Sequence, residues 1–345
     1  MSKIVITGVT GMTGSHMVDY LLKNTDHEIY GMIRRVSNPN YSNILDAMGH
    51  PRFHFVTGDL SDGQSIENII NEIKPDYFIN FAAQSHVHTS WVVPEQTFDT
   101  TCNALIRILE SIRKFAPNCR VYSSGSSEQF GDVEYSPQDE KHPFKPRSPY
   151  GAAKCAAGLI CKVYKESYDL YIVHGICFNH ESYRRGEQFV TRKITKTLCK
   201  IKWCLDRKLS FDSLKLGNID SKRDWSYAPD FVVAIWRMLN QEIYNKNYKN
   251  IRDYVVASGK TYSVRDFIIK SLDCLGLSYS IKGKGLEEKF IHKGQAIIEI
   301  DKNFYRPAEV DLLLGDSSLI RKELEWEPEY NFDELVREMI NHDKK

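Results

Sequence analysis

Short apolar runs alternate with amphipathic stretches through the first half of the chain, and that alternation sets the expected fold. Lys3 to Thr7 reads as an apolar strand, Met12 to Lys23 has helical apolar spacing, and Glu28 to Ile33 is a second strand ending in Arg34-Arg35. Phe53 to Thr57, Tyr77 to Phe81 and Arg120 to Ser123 continue the strands, with helical segments over about 62–74 and 91–116 between them. Tyr150 to Tyr168 predicts another helix and Leu170 to Gly175 another strand. Alternation of this kind implies α/β architecture, a parallel sheet covered by helices on both faces. Beyond Phe178 the rhythm breaks at the charged stretch Glu181 to Lys193, and Tyr254 to Ala257 looks like one more strand of the first sheet. The second lobe is therefore expected to interleave with the first.

Composition narrows the function classes. The chain has 345 residues, longer than a single domain of roughly 100–200 residues. Its net charge is +1 and it has no basic block, which argues against a nucleic-acid partner. No run approaches the roughly 20 apolar residues of a membrane span, and no signal-peptide core precedes the first strand. The eight cysteines form neither a CxxC pair nor a Cys/His cluster at zinc spacing. They read as reduced, mostly buried thiols of a cytoplasmic protein without a metal site.

Gly8, Gly11 and Gly14 follow the first strand and open the first helix, where missing side chains let backbone approach a pyrophosphate. Thr10, Met12 and Thr13 belong to the same turn. A GxxGxxG pattern alone also serves tight turns, so its context matters. At the end of the second strand an NAD site usually places an acid; here Arg34 and Arg35 stand instead, and guanidinium groups suit the 2′-phosphate of NADP. The alternative is a pair of solvated surface arginines. Asp59, followed by Leu60, is placed after the third strand to reach an adenine, and Phe81, Ala82, Ala83 and Ser85 after the fourth let a cofactor pass close to backbone.

Tyr150 and Lys154 lie four apart on the expected helix, hence on one face. An ammonium beside a phenol favours the phenolate and lets tyrosine exchange a proton near neutral pH. Just past the fifth strand, Ser126 and Glu128 share a short polar loop at the carboxyl end of the sheet, where ligands of such folds bind. Simple alcohol oxidation needs the hydroxyl, phenol and ammonium but has no evident use for the carboxylate. A reaction that also breaks a C–H bond beside the new carbonyl does.

These residues resemble an extended short-chain dehydrogenase/reductase, and among those the GDP-mannose 4,6-dehydratases. The similarity runs nearly end to end, through Gly8 to Ser15, Ala83-Gln84-Ser85-His86-Val87, Ser148 to Lys154, Asn179-His180-Glu181-Ser182, Arg184-Arg185-Gly186, Phe189 to Lys193, Arg223-Asp224-Trp225 and Tyr305-Arg306-Pro307 to Glu309-Val310-Asp311. The resemblance implies a Rossmann-type doubly wound parallel sheet with an interleaved smaller α/β substrate lobe. The NADP-binding domain would span about 1–178, with about 224–257 returning to it, and the nucleotide-sugar lobe about 179–223 and 258–345.

The resemblance also implies an internal redox cycle on a GDP-manno-configured sugar. Tyr150 takes the C4 hydroxyl proton as C4 is oxidised, Lys154 lowers the phenol pKa and holds the nicotinamide ribose, and Ser126 hydrogen-bonds the C4 oxygen. Glu128 takes the C5 proton as water leaves C6, and C6 is then reduced. His180 and Arg185 complete the NADP site, while Asn179, Val190, Lys193, Arg223, Arg306 and Glu309, with Ser85, Ser126 and Glu128, line the nucleotide-sugar site. Family members form tetramers through the region of Arg34-Arg35 and Val36 to Tyr41, so a homotetramer or homodimer is expected, with those arginines serving cofactor in the same or a neighbouring subunit.

Some positions depart from the family pattern. Ser126 replaces a threonine, Tyr183 a proline and Gln96 a cofactor-contacting tyrosine, and Trp91 and Gly125 are unusual. Several are expected near the sugar pocket, which keeps open a larger substrate, a GDP-manno-heptose. Two other readings remain at this level: a nucleotide-sugar 4-epimerase or C4 dehydrogenase, which has no need of Glu128, and a non-catalytic NADP-binding protein.

Overall fold

Burial on both faces turns the apolar runs into one parallel sheet. The computed structural model describes residues 1–241, 247–305 and 312–344. In chain order its strands are β1 (Lys3–Thr7), β2 (Glu28–Ile33), β3 (Phe53–Thr57), β4 (Tyr77–Asn80), β5 (Arg120–Ser124), β6 (Ile172–Cys177), β7 (Asn179–Glu181), β8 (Leu214–Leu216), β9 (Lys222–Arg223), β10 (Trp225–Tyr227) and β11 (Tyr254–Val256). The seven-stranded sheet runs β11-β6-β5-β4-β1-β2-β3, with every neighbouring pair parallel. After β3 the chain crosses back to place β4 beside β1, and this reversal opens a crevice at the carboxyl ends of the strands.

The principal helices are α1 (Met12–Asn24), α2 (Gly63–Ile73), α3 (Val87–Val92), α4 (Pro94–Phe98), α5 (Ala104–Phe115), α6 (Pro149–Tyr168), α7 (Val190–Asp206), α8 (Ala228–Met238), α9 (Val264–Leu275), α10 (Ser318–Leu324) and α11 (Phe332–Asp343). Alternation along β1 divides the core: Ile4 and Ile6 pack with Met17, Val18 and Leu21 of α1 and Phe231 and Ile235 of α8. Val5 faces the other way, onto Ile66 and Ile70 of α2, Ile108 of α5 and Cys161 of α6. Both faces are dry, which removes the polar alternation that a half-exposed strand shows.

The remaining strands, β12 (Tyr262–Ser263), β13 (Ser280–Lys282), β14 (Lys289–His292), β15 (Gln295–Ile300) and β16 (Leu312–Leu313), build the smaller lobe. Its four-stranded sheet runs β13-β14-β15-β8 and shares a core with α7, α9 and α11 that includes Trp225, Phe267, Phe290 and Leu335. Strand β11 and helix α8 meanwhile pack in the large sheet, against β6 and α1.

The expected helix over about 91–116 is interrupted. Helices α3 and α4 are separated at Val93, Pro94 opens α4, and a π-helical turn at Asp99–Asn103 joins it to α5. Proline has no N–H to give to the preceding turn, so the ladder restarts there. Among the described residues no helix is long and apolar enough to cross a membrane and no group of three His, Cys, Asp or Glu side chains could hold a metal ion.

Candidate active site

The first turn of α1 is shaped by two close approaches. Gly8 has φ +72°, and a Cβ there would also come within 3.0 Å of the Ala82 nitrogen. A Cβ at Gly14 would sit 2.2 Å from the Gly8 carbonyl oxygen, so the helix can dock on the turn only without a side chain. No side chain caps Gly11, the N-cap of α1, which leaves the opening N–H groups of the helix available to an anion. Thr13 Oγ1 lies 2.9 Å from His180 Nε2, while His180 Nδ1 donates to the Phe178 carbonyl at 3.0 Å. The ring is thereby the Nδ1–H tautomer and accepts from Thr13; burial keeps it neutral, pulling it down to about 4.

Helix α6 begins at a point set by Ser148, whose side chain accepts the Gly151 N–H at 3.0 Å, and by Pro149 in the first turn. Tyr150 therefore stands at the mouth of the helix and Lys154 one turn deeper. A Cβ at Gly151 would meet the Glu128 carbonyl oxygen at 2.6 Å; its absence lets α6 press against the Ser127–Gln129 turn and brings Tyr150 to Ser126 and Glu128. Ser126 caps that turn, its hydroxyl oxygen accepting the Glu128 N–H at 3.3 Å.

Electrostatics at the pair differ from the expectation drawn from spacing. Burial pushes the Tyr150 phenol up to about 12, against the downward pull of the Ser126 hydroxyl bonded to it; the Glu128 carboxylate adds to the rise and Arg185 opposes it. Burial also brings Lys154 down to about 8. The ammonium donates to the Ser124 carbonyl at 2.5 Å and lies 5.7 Å from the centroid of the phenol ring. Removal from water costs each charged form more than the neighbouring groups return.

A cleft with a cavity volume of about 1230 Å³ joins the glycine turn to this pair. Its walls include Gly8, Thr10, Gly11, Met12, Thr13, Gly14, Arg34, Asp59, Leu60, Phe81, Ala82, Ala83 and Ser85 at one end. Ser126, Glu128, Tyr150, Lys154, Asn179, His180, Arg185, Val190, Lys193 and Arg223 stand along the rest. Arg35 is the exception: it is exposed on the surface and does not line the cleft, because successive residues leaving a strand end point to opposite sides. Arg306 and Glu309 lie outside the described residues. The Asp59 carboxylate is engaged by Ser61, from its N–H at 2.9 Å and its hydroxyl at 2.8 Å, which holds its pKa below the usual carboxylate range.

Several lining residues were not picked out from sequence. Glu181 is buried beneath Arg185, 3.2 Å from its Nε, and accepts the Thr191 hydroxyl at 2.8 Å. The Arg185 guanidinium lies 3.6 Å above the Phe189 ring, and the Lys193 ammonium 3.5 Å above that of Phe304. For Arg185 the available signal was Phe189 four residues on; Phe304 is too distant from Lys193 along the chain to give one. An uncapped helix start, a cradle too tight for a Cβ and an arginine at the far end fit a phosphorylated dinucleotide.

The family model for GDP-mannose 4,6 dehydratase matches residues 5–339. The chain belongs to the GDP-mannose 4,6-dehydratase family. Relatives span its length: the GDP-mannose 4,6 dehydratase of Drosophila melanogaster is 41% identical over 98% of this chain and 85% of its own. The GDP-mannose 4,6-dehydratase of Vibrio cholerae is 40% identical over 99% of this chain and 94% of its own. Among solved structures, a dTDP-glucose 4,6-dehydratase from Streptomyces venezuelae with NAD and TYD bound superposes with a TM-score of 0.80 at 20% identity, covering 98% of this chain and 96% of that one. That likeness establishes the fold.

Within this family member the departures from pattern separate by place. Gln96, Gly125 and Ser126 line the cleft. Tyr183 does not: its ring stacks on His342 at 4.1 Å and meets His16 edge-on at 5.9 Å, so it ties α11 to α1 rather than shaping the sugar pocket. Trp91 is an exposed side chain of α3, also outside the cleft.

Proposed function

We propose that this chain is an NADP-dependent GDP-sugar 4,6-dehydratase in which Ser126, Glu128, Tyr150 and Lys154 carry the chemistry on a GDP-manno-configured sugar. The observation that carries the reading is the convergence of a carboxylate, a hydroxyl, a phenol and a buried lysine at one end of a cleft whose other end is a glycine cradle. When bound, NADP supplies the acceptor for C4 oxidation and the donor for C6 reduction, so none is consumed overall.

The protein's own groups manage the protons. Tyr150 receives the C4 hydroxyl proton as a phenolate. Burial holds the phenol up to about 12, so the ammonium of Lys154 beside it, itself at about 8 and able to exchange its proton near neutral pH, is what stabilises that phenolate. The two act as a coupled pair rather than as a lone phenol. Ser126 fixes the C4 oxygen. The 4-ketone acidifies the C5 proton, Glu128 takes it and passes it to the departing C6 hydroxyl, which leaves as water to give a conjugated enone. Tyr150 reprotonates C5 as C6 is reduced. Lys193 and Arg223, with Arg306, provide positive charge for the diphosphate.

Two residues at the cleft favour a second reading, a GDP-manno-heptose carrying an extra carbon at C6. Ser126 lacks the methyl of the family's threonine and Gln96 lacks a ring, so both leave room. We further propose a cytoplasmic homotetramer or homodimer: the free thiols suit a reducing compartment, and the exposed Arg34 to Asn40 segment beside the cleft suits an interface. Incubation of the NADP-loaded protein with GDP-mannose and with the GDP-heptose, followed by mass spectrometry for loss of one water, tests the reaction and the sugar together. Equal inertness toward both would reject it, and sedimentation gives the oligomeric state.

A further inference from the structure

Behind the Ser126 turn lies a buried polar chain that the reaction as described leaves unused. Ser123 and His174 are paired across β5 and β6, and the His174 ring is 2% exposed. Its Nδ1 is 3.2 Å from the Ser123 Oγ and its Nε2 is 3.0 Å from the Gln129 Oε1. The same Gln129 oxygen accepts the Ser126 backbone N–H at 2.9 Å. A backbone N–H can only donate, so it fixes which end of the Gln129 amide is oxygen, and that in turn fixes the imidazole: Nε2 carries hydrogen and Nδ1 accepts from Ser123.

The charged groups that reach the ring are Asp253, Lys154 and Lys165. Asp253 accepts the His174 backbone N–H at 2.8 Å and pairs with Lys165 at 3.1 Å, so the strand beneath the ring is itself held. Burial keeps the imidazole neutral, at about 4.

Room for this chain exists only because two neighbours lack side chains. A Cβ at Gly125 would lie 2.6 Å from His174 Nε2 and 2.8 Å from Gln129 Oε1, and one at Gly158 of α6 would lie 3.0 Å from Nε2. The unusual glycine of the catalytic loop is thus the partner of a buried histidine. Gln129 also carries a cost: its Nε2 is buried with no hydrogen-bond partner among the described residues. An apolar side chain of the same length would avoid that penalty, so the glutamine is kept for its oxygen and for the two donors that converge on it.

We propose that His174 and Gln129 are positioning residues for the C4 oxidation, setting through the Ser126 amide where the Ser126 hydroxyl stands against Tyr150. This rests on the roles given to Ser126 and Tyr150 above. Ser126 is pinned on both sides, its amide by Gln129 and its hydroxyl oxygen by the Glu128 N–H. Releasing the amide leaves the hydroxyl free to turn away from Tyr150, whose phenolate it stabilises.

The test uses Gln129→Met, His174→Asn and the double variant as NADP-loaded enzymes turning over GDP-mannose. Gln129→Met should lower kcat by about 10- to 100-fold, the scale of a displaced catalytic group, with KM changed by less than about threefold. The acid limb of its kcat profile should move to higher pH, because a phenol without Ser126 gives up its proton less readily. The double variant should lose no more than the worse single one, since the two act as a unit. Multiplicative losses, a change in KM alone or an unmoved pH profile would overturn the proposal. Ser123→Ala, which removes the donor to Nδ1 together with the hydroxyl bonded to the Cys161 thiol, keeps the small side chain of the site and should give a smaller kcat loss of the same kind.

Nitrogen NMR of the histidine ring gives an outcome independent of turnover. Across about pH 6 to 8, the range in which an ordinary histidine titrates, His174 should stay neutral with its hydrogen on Nε2, and Gln129→Met should shift the Ser126 amide resonance. Hydrogen on Nδ1, or an unmoved Ser126 amide, would reject the chain of bonds even in a protein that fails to dehydrate GDP-mannose; that failure alone would instead reject the reaction.

Discussion

The Lys154 ammonium donates to the Ser124 carbonyl at 2.5 Å, which anchors the helix bearing the candidate phenol to the end of the strand that leads into the catalytic loop. Because the lysine is buried, the role proposed for it depends on shape as well as charge. Lys154→Met should reduce kcat by at least about 100-fold, the usual scale for a positioned proton-transfer group. Lys154→Arg should not restore it, since a planar guanidinium does not fit a slot built for a compact ammonium. Steady-state kinetics at pH 7 to 9 decide the matter, and full activity in the arginine variant would remove the proton-exchange role.

Under the proposed reaction, Glu128 should separate dehydration from oxidation. Glu128→Gln keeps the size of the side chain and leaves the backbone contact with Gly151 unchanged but cannot take a proton at C5. Loss of water should stop, together with deuterium exchange into C5, while oxidation at C4 remains visible as a rise in NADPH absorbance. Undiminished dehydration in this variant would assign the base elsewhere.

Arg34 and Arg35 should behave unequally. Arg34 lines the cleft and Arg35 does not, so Arg34→Ala should weaken NADP against NAD by about tenfold or more, the scale of one or two charge-assisted bonds to phosphate. Arg35→Ala should leave that ratio unchanged in fluorescence titrations. Equal losses from both would place Arg35 on the cofactor of a neighbouring subunit.

Acid should destabilise the fold through histidines buried as neutral rings. Burial lowers His16 to about 3 and both His174 and His180 to about 4, each below the unfolded value. The unfolded chain then binds protons that the folded one refuses, so the stability is complete above about pH 6.5 and is lost as pH falls toward 4. Each ring contributes up to about 1.4 kcal/mol per pH unit in that window. Asp230, raised to about 6 by burial, works in the opposite direction. Urea unfolding at pH 7.5 and 5.5 should therefore show a smaller acid loss in His16→Asn than in the unmodified protein; an unchanged loss would mean that the ring titrates normally.

Much of the large sheet was legible in the hydrophobic pattern. The central strand β1, buried on both faces, announces itself as a continuous apolar run, and β1, β2 and the edge strand β3 begin and end where Lys3–Thr7, Glu28–Ile33 and Phe53–Thr57 are expected. The helix before β5 was less legible, because apolar spacing over about 91–116 does not register the missing N–H of Pro94 or the extra residue of the π turn. At the cleft, Gly14, Tyr150 and Lys154 could be named because glycine at a helix start and a phenol four residues before a lysine carry their geometry in local spacing.

The sequence by itself determined the α/β order of elements and, through local spacing, which residues stand at the ends of strands and in the first turns of helices. Tertiary structure decided what depends on close approach between segments distant in sequence. It separated Arg34 from Arg35, turned Tyr183 onto His16 and His342, and brought His174 of β6 to Gln129 and the Ser126 amide. It also reversed the expected direction of the Tyr150 pKa. Spacing shows which charge is near the phenol, but only the folded protein shows how much water has been removed from both.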